Sequence, residues 1–326
     1  MKAELPNTNV SLNKNIWKKY NTQLALFAIA LFVLLLFIIT SPGVFLSPQI
    51  YRSFLSTVPF VGVMALGLTM VLAMGEIDMS FPSVMALSGF IFAITFKTTG
   101  SVFLGMLTCL LCGVIVGSGN GLLVSKIGIP SIIVTIGMQF FIRGLSNVLS
   151  QGTAHPMRLS NSFLYKLFAG EVFNIPCQAI WFAVLAIFLW LLLFRHKFGE
   201  QVLFIGDNED ATRMMGINID KTKILVFMIM GLLASFAGIL DVFRMRTWWP
   251  TMGEGYMMMT VATVFVGGTS MFGGEATILG TFIGAFLIGS LEAGIVAAGL
   301  SGFWTRLIYG LLILVAVSIH TLMKKK

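Results

Sequence analysis

Acidic residues inside apolar sequence are the groups of this chain most able to do chemistry. Glu76 and Asp78 stand two positions apart between two apolar runs, and Glu292 lies within a third. Arg143 lies toward the outer end of another run. Ionisable groups are costly in a bilayer and usually face a cavity or a partner. Two interpretations of Glu76 and Asp78 stay open: they line a path through the membrane, or they cap a helix that begins near Ser83.

No catalytic motif accompanies these carboxylates. The sequence contains no G-x-x-x-x-G-K-[ST] nucleotide loop, no H-E-x-x-H metal motif and no G-x-S-x-G nucleophile elbow. Cys109 and Cys112 stand in an apolar run, where helix packing is their expected role. We therefore predict no catalytic residue, no metal site and no cofactor on this chain, and we do not expect it to be an enzyme.

The composition places the chain in a membrane. Hydrophobic types make up 57% of the 326 residues and charged types 10%, with a mean hydropathy of +0.94. A soluble globular protein has about 25% charged residues, so the charges here are too few to cover a water-exposed surface. The same values exclude a disordered chain, a disulfide scaffold, a coiled coil and collagen. The net charge of +8 is expected to meet membrane lipid headgroups, not nucleic acid.

Ten apolar runs could cross the hydrocarbon core as helices, which takes about 20 residues each. The sequence therefore predicts an all-α, polytopic transmembrane helical bundle with about ten spans. The third and eighth runs are short, and broken spans are tolerated where they face protein or a water-filled path. The predicted spans are Thr22–Thr40, Phe54–Met74, Ser83–Phe96, Val102–Val124, Ser131–Leu149, Ala179–Phe194, Ile224–Val242, Met257–Gly268, Ile278–Ala298 and Phe303–Leu322.

The distribution of Lys and Arg orients this bundle. Lysines cluster at Lys14–Lys19 and again in the Lys324–Lys326 tail. Because positively charged loops are enriched on the cytoplasmic side, we expect the N- and C-termini to be cytoplasmic. Residues 1–20 would form a cytoplasmic N-terminal tail. The first run has no cleavage site of the signal-peptide kind before Pro42, so we expect it to be retained as a span.

The longest cytoplasmic connection, residues 195–223, has the signature of a short helix outside the membrane. Asp207 or Asn208 can cap its start, and acidic residues beginning at Glu209 complement its positive first turn. Gly216 supplies a left-handed stop. The pattern predicts a helix of about two turns.

One face of this short helix is apolar. Ala211, Met214 and Met215 are spaced so that they share it. A helix this short is unstable alone in water, so it must be held against something. It is either a surface turn on the protein's own loops or a docking element for a cytoplasmic partner, a use to which adaptable methionines are suited.

The sequence also contains a weak internal repeat. Gly75–Gly89 and Gly268–Gly280 are both glycine-bounded turns with a carboxylate, each leading into an apolar run, and they stand 193 residues apart. Broken helices in corresponding places often mark the central path of a transporter. Further glycines at helical small-residue spacing are expected to let helices pack closely: Gly113, Gly117, Gly121, Gly280, Gly284 and Gly289.

Four segments occur in the order typical of one family. They are Gly75-Glu-Ile-Asp-Met-Ser-Phe-Pro-Ser83; Thr135-Ile-Gly137 with Arg143-Gly-Leu145; Phe198-Gly199 through Gly206-Asp-Asn208 to Gly216-Ile217; and Gly267-Gly-Thr-Ser-Met-Phe-Gly-Gly274 with Leu279-Gly-Thr281. Together they resemble the sugar-type permeases of bacterial ABC importers, the membrane subunits of ribose, galactose and autoinducer-2 transporters. The resemblance runs from about Phe45 to Ile319. Two departures stand out: Glu76 replaces a usual glycine, and Phe81-Pro82 replaces a usual Val-Gly.

The resemblance implies the partners and the site. Such a permease pairs with an identical or paralogous permease, binds two ABC ATPase subunits that hold ATP and Mg²⁺, and receives solute from an extracytoplasmic binding protein. The implied ATPase-coupling residues, within the coupling loop 195–223, are Gly199, Gly206, Asn208, Ala211, Met214, Met215 and Gly216. The implied translocation-pathway residues are Glu76, Asp78, Ser80, Thr269, Ser270 and Phe272.

These expectations combine into one functional hypothesis. Residues 1–326 would be a single transmembrane permease domain in the bacterial inner membrane, importing a monosaccharide or a similar small polar solute. The alternative is a secondary transporter driven by an ion gradient through Glu76, Asp78 or Glu292. The alternative predicts uptake without an ATPase and loss of coupling when those carboxylates are neutralised.

Overall fold

The computed structural model describes residues 26–159 and 163–324, which form a helical bundle with two short strand pairs. Helix α5 (Val102–Leu122) continues through one π-helical turn, Leu123–Ile127. The helices are α1 (Leu26–Thr40), α2 (Pro42–Phe45), α3 (Pro48–Ala73), α4 (Phe81–Thr99), α5 (Val102–Leu122), α6 (Ser131–Ser150), α7 (Phe163–Ala169), α8 (Cys177–Phe194), α9 (Lys197–Asp207), α10 (Glu209–Met214), α11 (Ile219–Met245), α12 (Tyr256–Val266), α13 (Ile278–Ala297) and α14 (Phe303–Lys324). The strands are β1 (His155–Pro156), β2 (Glu171–Val172), β3 (Ile175–Pro176) and β4 (Thr247–Trp248).

The all-α, polytopic prediction is confirmed. Seven helices in the described ranges are long and apolar enough to cross a membrane: α3, α4, α5, α6, α8, α11 and α13. Three shorter apolar helical stretches, which match the first, eighth and tenth predicted runs, are Leu26–Thr40 (α1), Tyr256–Val266 (α12) and Phe303–Ser318 (within α14). The predicted N-terminal tail, residues 1–20, lies outside the described residues.

The prediction that the third span is short is wrong. Helix α4 has 19 residues, because it starts at Phe81 and Pro82 and continues through Lys97 to Thr99. Proline in the first turn has no N–H that would need a partner, so the Phe-Pro pair begins the helix instead of interrupting it. The eighth run is short as predicted, since α12 has 11 residues.

Helix α11 is the centre of the bundle. It has 27 residues and packs against α3, α4 and α5. Its approach to α5 depends on glycine, because a methyl group at Gly113 would collide with the carbonyl oxygen of Gly231 and with the hydroxyl of Ser235. The predicted close packing at this glycine is therefore confirmed. Cys109 and Cys112 of α5 are buried free thiols in the same packed region.

Two loops pack across the C-terminal end of α11 and are hydrogen-bonded to neighbouring helices. Strands β1 and β4 pair antiparallel, with His155 opposite Trp248. Trp248 is fully buried and donates from Nε1 to the carbonyl oxygen of Ala86 in α4, at 2.8 Å. Arg143 of α6 donates to the carbonyl oxygen of Pro250 at 2.9 Å. The charge predicted inside the membrane therefore holds a loop backbone in place.

Helix α9, which the sequence did not predict, packs beside the N-terminal end of α11. Helix α9 follows α8 after a bend in which His196 Nδ1 accepts the Phe198 N–H at 3.1 Å. Val202 and Ile205 are buried where α9 contacts α3, α8 and α11. Five of its eleven residues are apolar, which is too short a run for a membrane span, so the sequence indicates only a part of the connection there. Helix α9 fixes the position at which α10 begins.

Candidate functional site

Helix α3 ends in a Schellman turn. This turn begins the first break, residues 74–80, which separates α3 from α4. The Gly75 N–H donates to the carbonyl oxygen of Leu72 at 2.8 Å, and the Glu76 N–H donates to that of Val71 at 3.1 Å. Gly75 has a φ of 82°, in the left-handed region that glycine tolerates best. These are the two hydrogen bonds of the Schellman motif, so the helix stops at a fixed point and Glu76 leaves it in a fixed direction.

Helix α12 ends in the same type of turn. This turn begins the second break, residues 267–277, which separates α12 from α13. The Gly268 N–H donates to the carbonyl oxygen of Phe265 at 3.0 Å, and the Thr269 N–H donates to that of Val264 at 3.2 Å. Gly268 has a φ of 88°. The two segments of the internal repeat therefore also share their backbone geometry. Gly75 and Gly268, which begin the two segments in the sequence, occupy the same position in the two turns.

A buried polar chain fills the first break. Asp78 accepts hydrogen bonds from the backbone N–H and the hydroxyl of Ser80, at 2.6 and 2.7 Å. Asn120 of α5 donates to the Ser80 hydroxyl oxygen at 2.8 Å. All three side chains are buried. The carboxylate therefore fixes the residue before α4 rather than a free N–H within that helix.

The second break is held by its own hydroxyl groups. Thr269 Oγ1 accepts the Thr277 N–H at 3.3 Å, and Ser270 Oγ accepts the Phe272 N–H at 3.1 Å. Thr269 and Ser270 are buried, whereas the Phe272 side chain is exposed. The two hydroxyl groups therefore maintain the loop, and the Phe272 side chain faces outward.

The two breaks touch each other and the connection that precedes α10. The Gly274 N–H donates to the carbonyl oxygen of Ala73 at 2.9 Å. Gly206, near the end of α9, lies directly against this bond: a Cβ there would collide with the Ala73 carbonyl oxygen and lie 2.5 Å from the Gly274 nitrogen. The structure thus brings Gly206 together with both breaks, which sequence spacing alone did not predict.

The local geometry of the predicted short helix is confirmed. Asn208 caps α10, since its Oδ1 accepts the Ala211 N–H at 2.9 Å, and Gly216 follows the helix with a φ of 79°. Met214 is 90% exposed and Met215 61% exposed, and Ala211 is also exposed. The apolar face is therefore not covered by the protein's own described loops. Another predicted residue of this connection, Gly199, leaves room for the carbonyl oxygen of Leu193 as α8 turns into α9.

An ion chain joins the first break to α10. Lys223 Nζ lies 2.7 Å from Glu76 Oε1 and 2.8 Å from Glu209 Oε2. Glu209 in turn pairs through its other oxygen with Arg213, at 3.2 Å. Glu76 therefore pairs with a lysine and does not cap α4. The sequence indicated no specific role for Lys223, because a partner as distant along the chain as Glu76 leaves no local signal.

A cavity of about 540 Å³ lies elsewhere, between α3, α12 and α13. Its wall is mostly apolar, and its polar lining includes Thr57, Tyr256 and Glu292. None of the six predicted pathway residues lines it in the described part of the chain. Glu292 is the only one of the carboxylates singled out in the sequence that faces this space.

Asp241 is an acidic residue that sequence reasoning missed. It lies in α11, fully buried, and neither carboxylate oxygen has a hydrogen-bond partner among the described residues. A buried charge without a partner is costly. Its only signal in the sequence is a lone acidic residue inside the predicted span Ile224–Val242.

The arrangement offers positioning and docking rather than bond chemistry. Among the described residues, no group of three or more His, Cys, Asp or Glu side chains could hold a metal ion. What the site does offer is two equivalent breaks, an exposed apolar helix and a charged link between them.

Comparisons with known proteins identify the family of this chain. Residues 50–317 match the family model described as the branched-chain amino acid transport system permease component. The chain is 32% identical to the ribose import permease protein of Escherichia coli (strain K12), over 89% of this chain and 91% of that protein. It is 33% identical to the L-arabinose ABC transporter permease protein of Azospirillum brasilense, over 84% and 80%. It is also 31% identical to the fructose import permease protein of Rhizobium meliloti, over 91% and 86%. No solved structure gives a significant match.

Proposed function

This chain belongs to the family of branched-chain amino acid transport system permease components, and we propose that it is the membrane subunit of an ATP-driven ABC importer for a monosaccharide or a similar small polar solute. As a permease component it is a transport subunit, not an enzyme. The sugar assignment rests on relatives named for ribose, arabinose and fructose import. ATP and Mg²⁺ would be bound by a separate ATPase subunit.

The exposed apolar face of α10 is the observation that carries the proposal. Met214 and Met215 point into solvent from a helix that is capped by Asn208 and joined through Lys223 and Gly206 to both breaks. Exposed methionines suit a partner groove because their side chains are flexible and polarisable. A partner that moved α10 would act directly on the breaks, as an ATPase-driven permease requires.

The remaining features of the assembly follow from the same proposal. All ten apolar helices would cross or enter the membrane, as one transmembrane permease domain, with the N- and C-termini in the cytoplasm of a bacterium. The chain would pair with an identical or paralogous permease in the inner membrane, surrounded by lipid. An extracytoplasmic binding protein would deliver the solute at the end strapped by β1 and β4. The six pathway residues would border the route near the breaks.

Reconstitution tests the proposal. The chain is purified from its native membrane with any bound ATPase and placed in liposomes with the co-purified binding protein. Uptake of radiolabelled ribose, arabinose and fructose is then measured with and without ATP and vanadate. We expect ATP-dependent, vanadate-sensitive uptake of at least one of the three sugars.

A matched pair of variants isolates the docking face. Replacing Met214 and Met215 by Asp puts charge on that face and should remove the ATPase from the purified complex, while replacing both by Leu should leave assembly and uptake intact. Wild-type assembly by the Asp variant would exclude docking through α10. Sugar uptake driven by a pH or sodium gradient, with no ATPase present, would establish the secondary-transporter alternative instead.

A further inference from the structure

Four side chains of alternating charge run from the first break to the surface of α10. In order they are Glu76, Lys223, Glu209 and Arg213, joined at 2.7, 2.8 and 3.2 Å. The two positive and two negative charges balance. Removal of any inner member leaves a neighbour with an incomplete set of partners.

Exposure increases from the largely buried Glu76–Lys223 pair through Glu209 to Arg213. The side chains of Lys223 and Glu76 are 10% and 15% exposed, that of Glu209 is 41% exposed and that of Arg213 is 67% exposed. Coulomb attraction is strong where water is excluded and weak at an exposed surface. The Lys223–Glu76 ion pair is therefore the stronger one. The exposed Glu209–Arg213 pair is weaker, and a partner that binds the surface of α10 can disturb it.

The first three members of the ion chain stand at fixed points of the backbone. Glu76 directly follows the left-handed glycine that ends α3, and its own N–H is held by Val71. Glu209 is the first residue of α10. Lys223 stands near the start of α11, the central helix of the bundle. A displacement of α10 therefore pulls on the Glu76 segment through one lysine.

We propose that Lys223 is the positioning residue that couples movement of α10 to the first break. This inference rests on the proposed function, because it assumes that an ATPase docks on α10. It assigns a role to Glu76 as well: this carboxylate anchors the link at the first break. The contact of Gly206 with Ala73 is a separate, uncharged link between α9 and the end of α3.

The test measures sugar moved per ATP hydrolysed by the reconstituted complex, with the sugar that the wild type transports. Lys223→Met should lower this ratio by about five- to tenfold, in the lower part of the range in which couplings between sites commonly lie. Lys223→Arg, which keeps the charge, should restore most of it. The ratio is counted per assembled complex, so a variant that merely folds less well does not change it.

A matched control is available at the same end of the molecule. Lys126 pairs with Asp220 at 2.7 Å, the same separation as the Lys223–Glu76 pair, but both side chains are well exposed and neither is joined to α10 by any ion pair in the described part of the chain. Lys126→Met should leave the ratio unchanged. An equal loss in this variant would show that a general change of charge, and not the ion chain, causes the effect.

A double-mutant cycle separates a continuous link from two independent contacts. Glu76→Gln breaks one side of Lys223 and Glu209→Gln breaks the other. If the link is continuous, the double variant should lose no more coupling than either single variant. Losses that multiply, or a wild-type ratio in Lys223→Met, would overturn the inference while leaving the proposed function intact. Absence of ATP-dependent uptake by the wild type would overturn both.

Discussion

At the scale of single residues, Gly206 is where three backbones meet. Its hydrogen-only side chain lets α9 touch the end of α3 at Ala73 and the second break at Gly274. Resemblance to the sugar-type permeases pointed to this glycine as part of the coupling loop. The structure supplies the physical reason, which is close approach and not backbone conformation.

Gly206→Ala should destabilise the protein because its methyl group has no room. Overpacking of this kind costs about 1–3 kcal/mol, and the atoms it meets belong to backbone that cannot rotate away. We expect a lower midpoint of thermal unfolding in detergent and less ATPase in the purified complex. Gly137→Ala in α6 is the control, because nothing lies within 4 Å of its Cβ. A wild-type midpoint for Gly206→Ala would contradict the close contact.

Local signals were predictable at this scale and distant partners were not. The Asn208 cap and the Gly216 stop act through residues three to eight positions apart, so sequence alone predicted both. Lys223 and Glu76 are brought together by the packing of α11 against α3, which no spacing encodes. Asp241 was missed for a related reason: burial without a partner is a property of the assembled bundle.

At the scale of elements, two helices end in the same type of turn, and each leads through a break into another apolar helix. α3 leads through its break to α4, and α12 leads through its break to α13. The equivalence of Gly75 and Gly268 was visible in the sequence as a weak repeat, and the shared Schellman hydrogen bonds give it structural content. The repeat therefore reflects two corresponding helix–break–helix units.

Alanine at either of these glycines should weaken the protein by a similar amount. A left-handed conformation costs a residue with a Cβ about 1–2 kcal/mol, and the φ values of Gly75 and Gly268 are nearly the same. Chemical unfolding of Gly75→Ala and Gly268→Ala in detergent should show comparable losses. Gly119→Ala, a glycine of α5 with open space around it, should be neutral or slightly stabilising. Unequal losses at the two breaks would argue against equivalent turns.

Long apolar helices were the most predictable elements and short ones the least. Each of the ten apolar runs corresponds to one helix, because burying backbone in lipid requires its hydrogen bonds to be made internally. Helix α9 was missed since its buried positions are few. The length of α4 was underestimated because Pro82, usually a breaker of helices, stands at a position where it starts one.

At the scale of the whole molecule, the two ends of the bundle differ in character. One end carries α9, α10 and the ion chain beside the start of α11, and the other carries the β1–β4 pair beside its end. The excess of Lys and Arg in the connections at the first end predicts that this end lies in the cytoplasm. The orientation itself follows from charge counting and stays a prediction.

Cysteine labelling can test this orientation with little background. The three native cysteines are free and buried, so a new exposed thiol should dominate labelling by a membrane-impermeant maleimide. Met214→Cys should be labelled in inverted membrane vesicles and protected in intact cells. Phe173→Cys, in the 95% exposed turn between β2 and β3, should show the opposite pattern because α8 lies between the two sites. Labelling of both from one side would contradict the predicted crossing of α8.

The exposed methionines of α10 make the docking face sensitive to oxidants. Peroxide converts a methionine thioether to a polar sulfoxide, and Met214 and Met215 offer two such sulfur atoms to water. Mild oxidation should therefore release the ATPase and stop uptake, and methionine sulfoxide reductase should restore both. The variant with Leu at both positions should resist the same treatment. A permease built in this way would lower its import during oxidative stress without any dedicated regulatory domain.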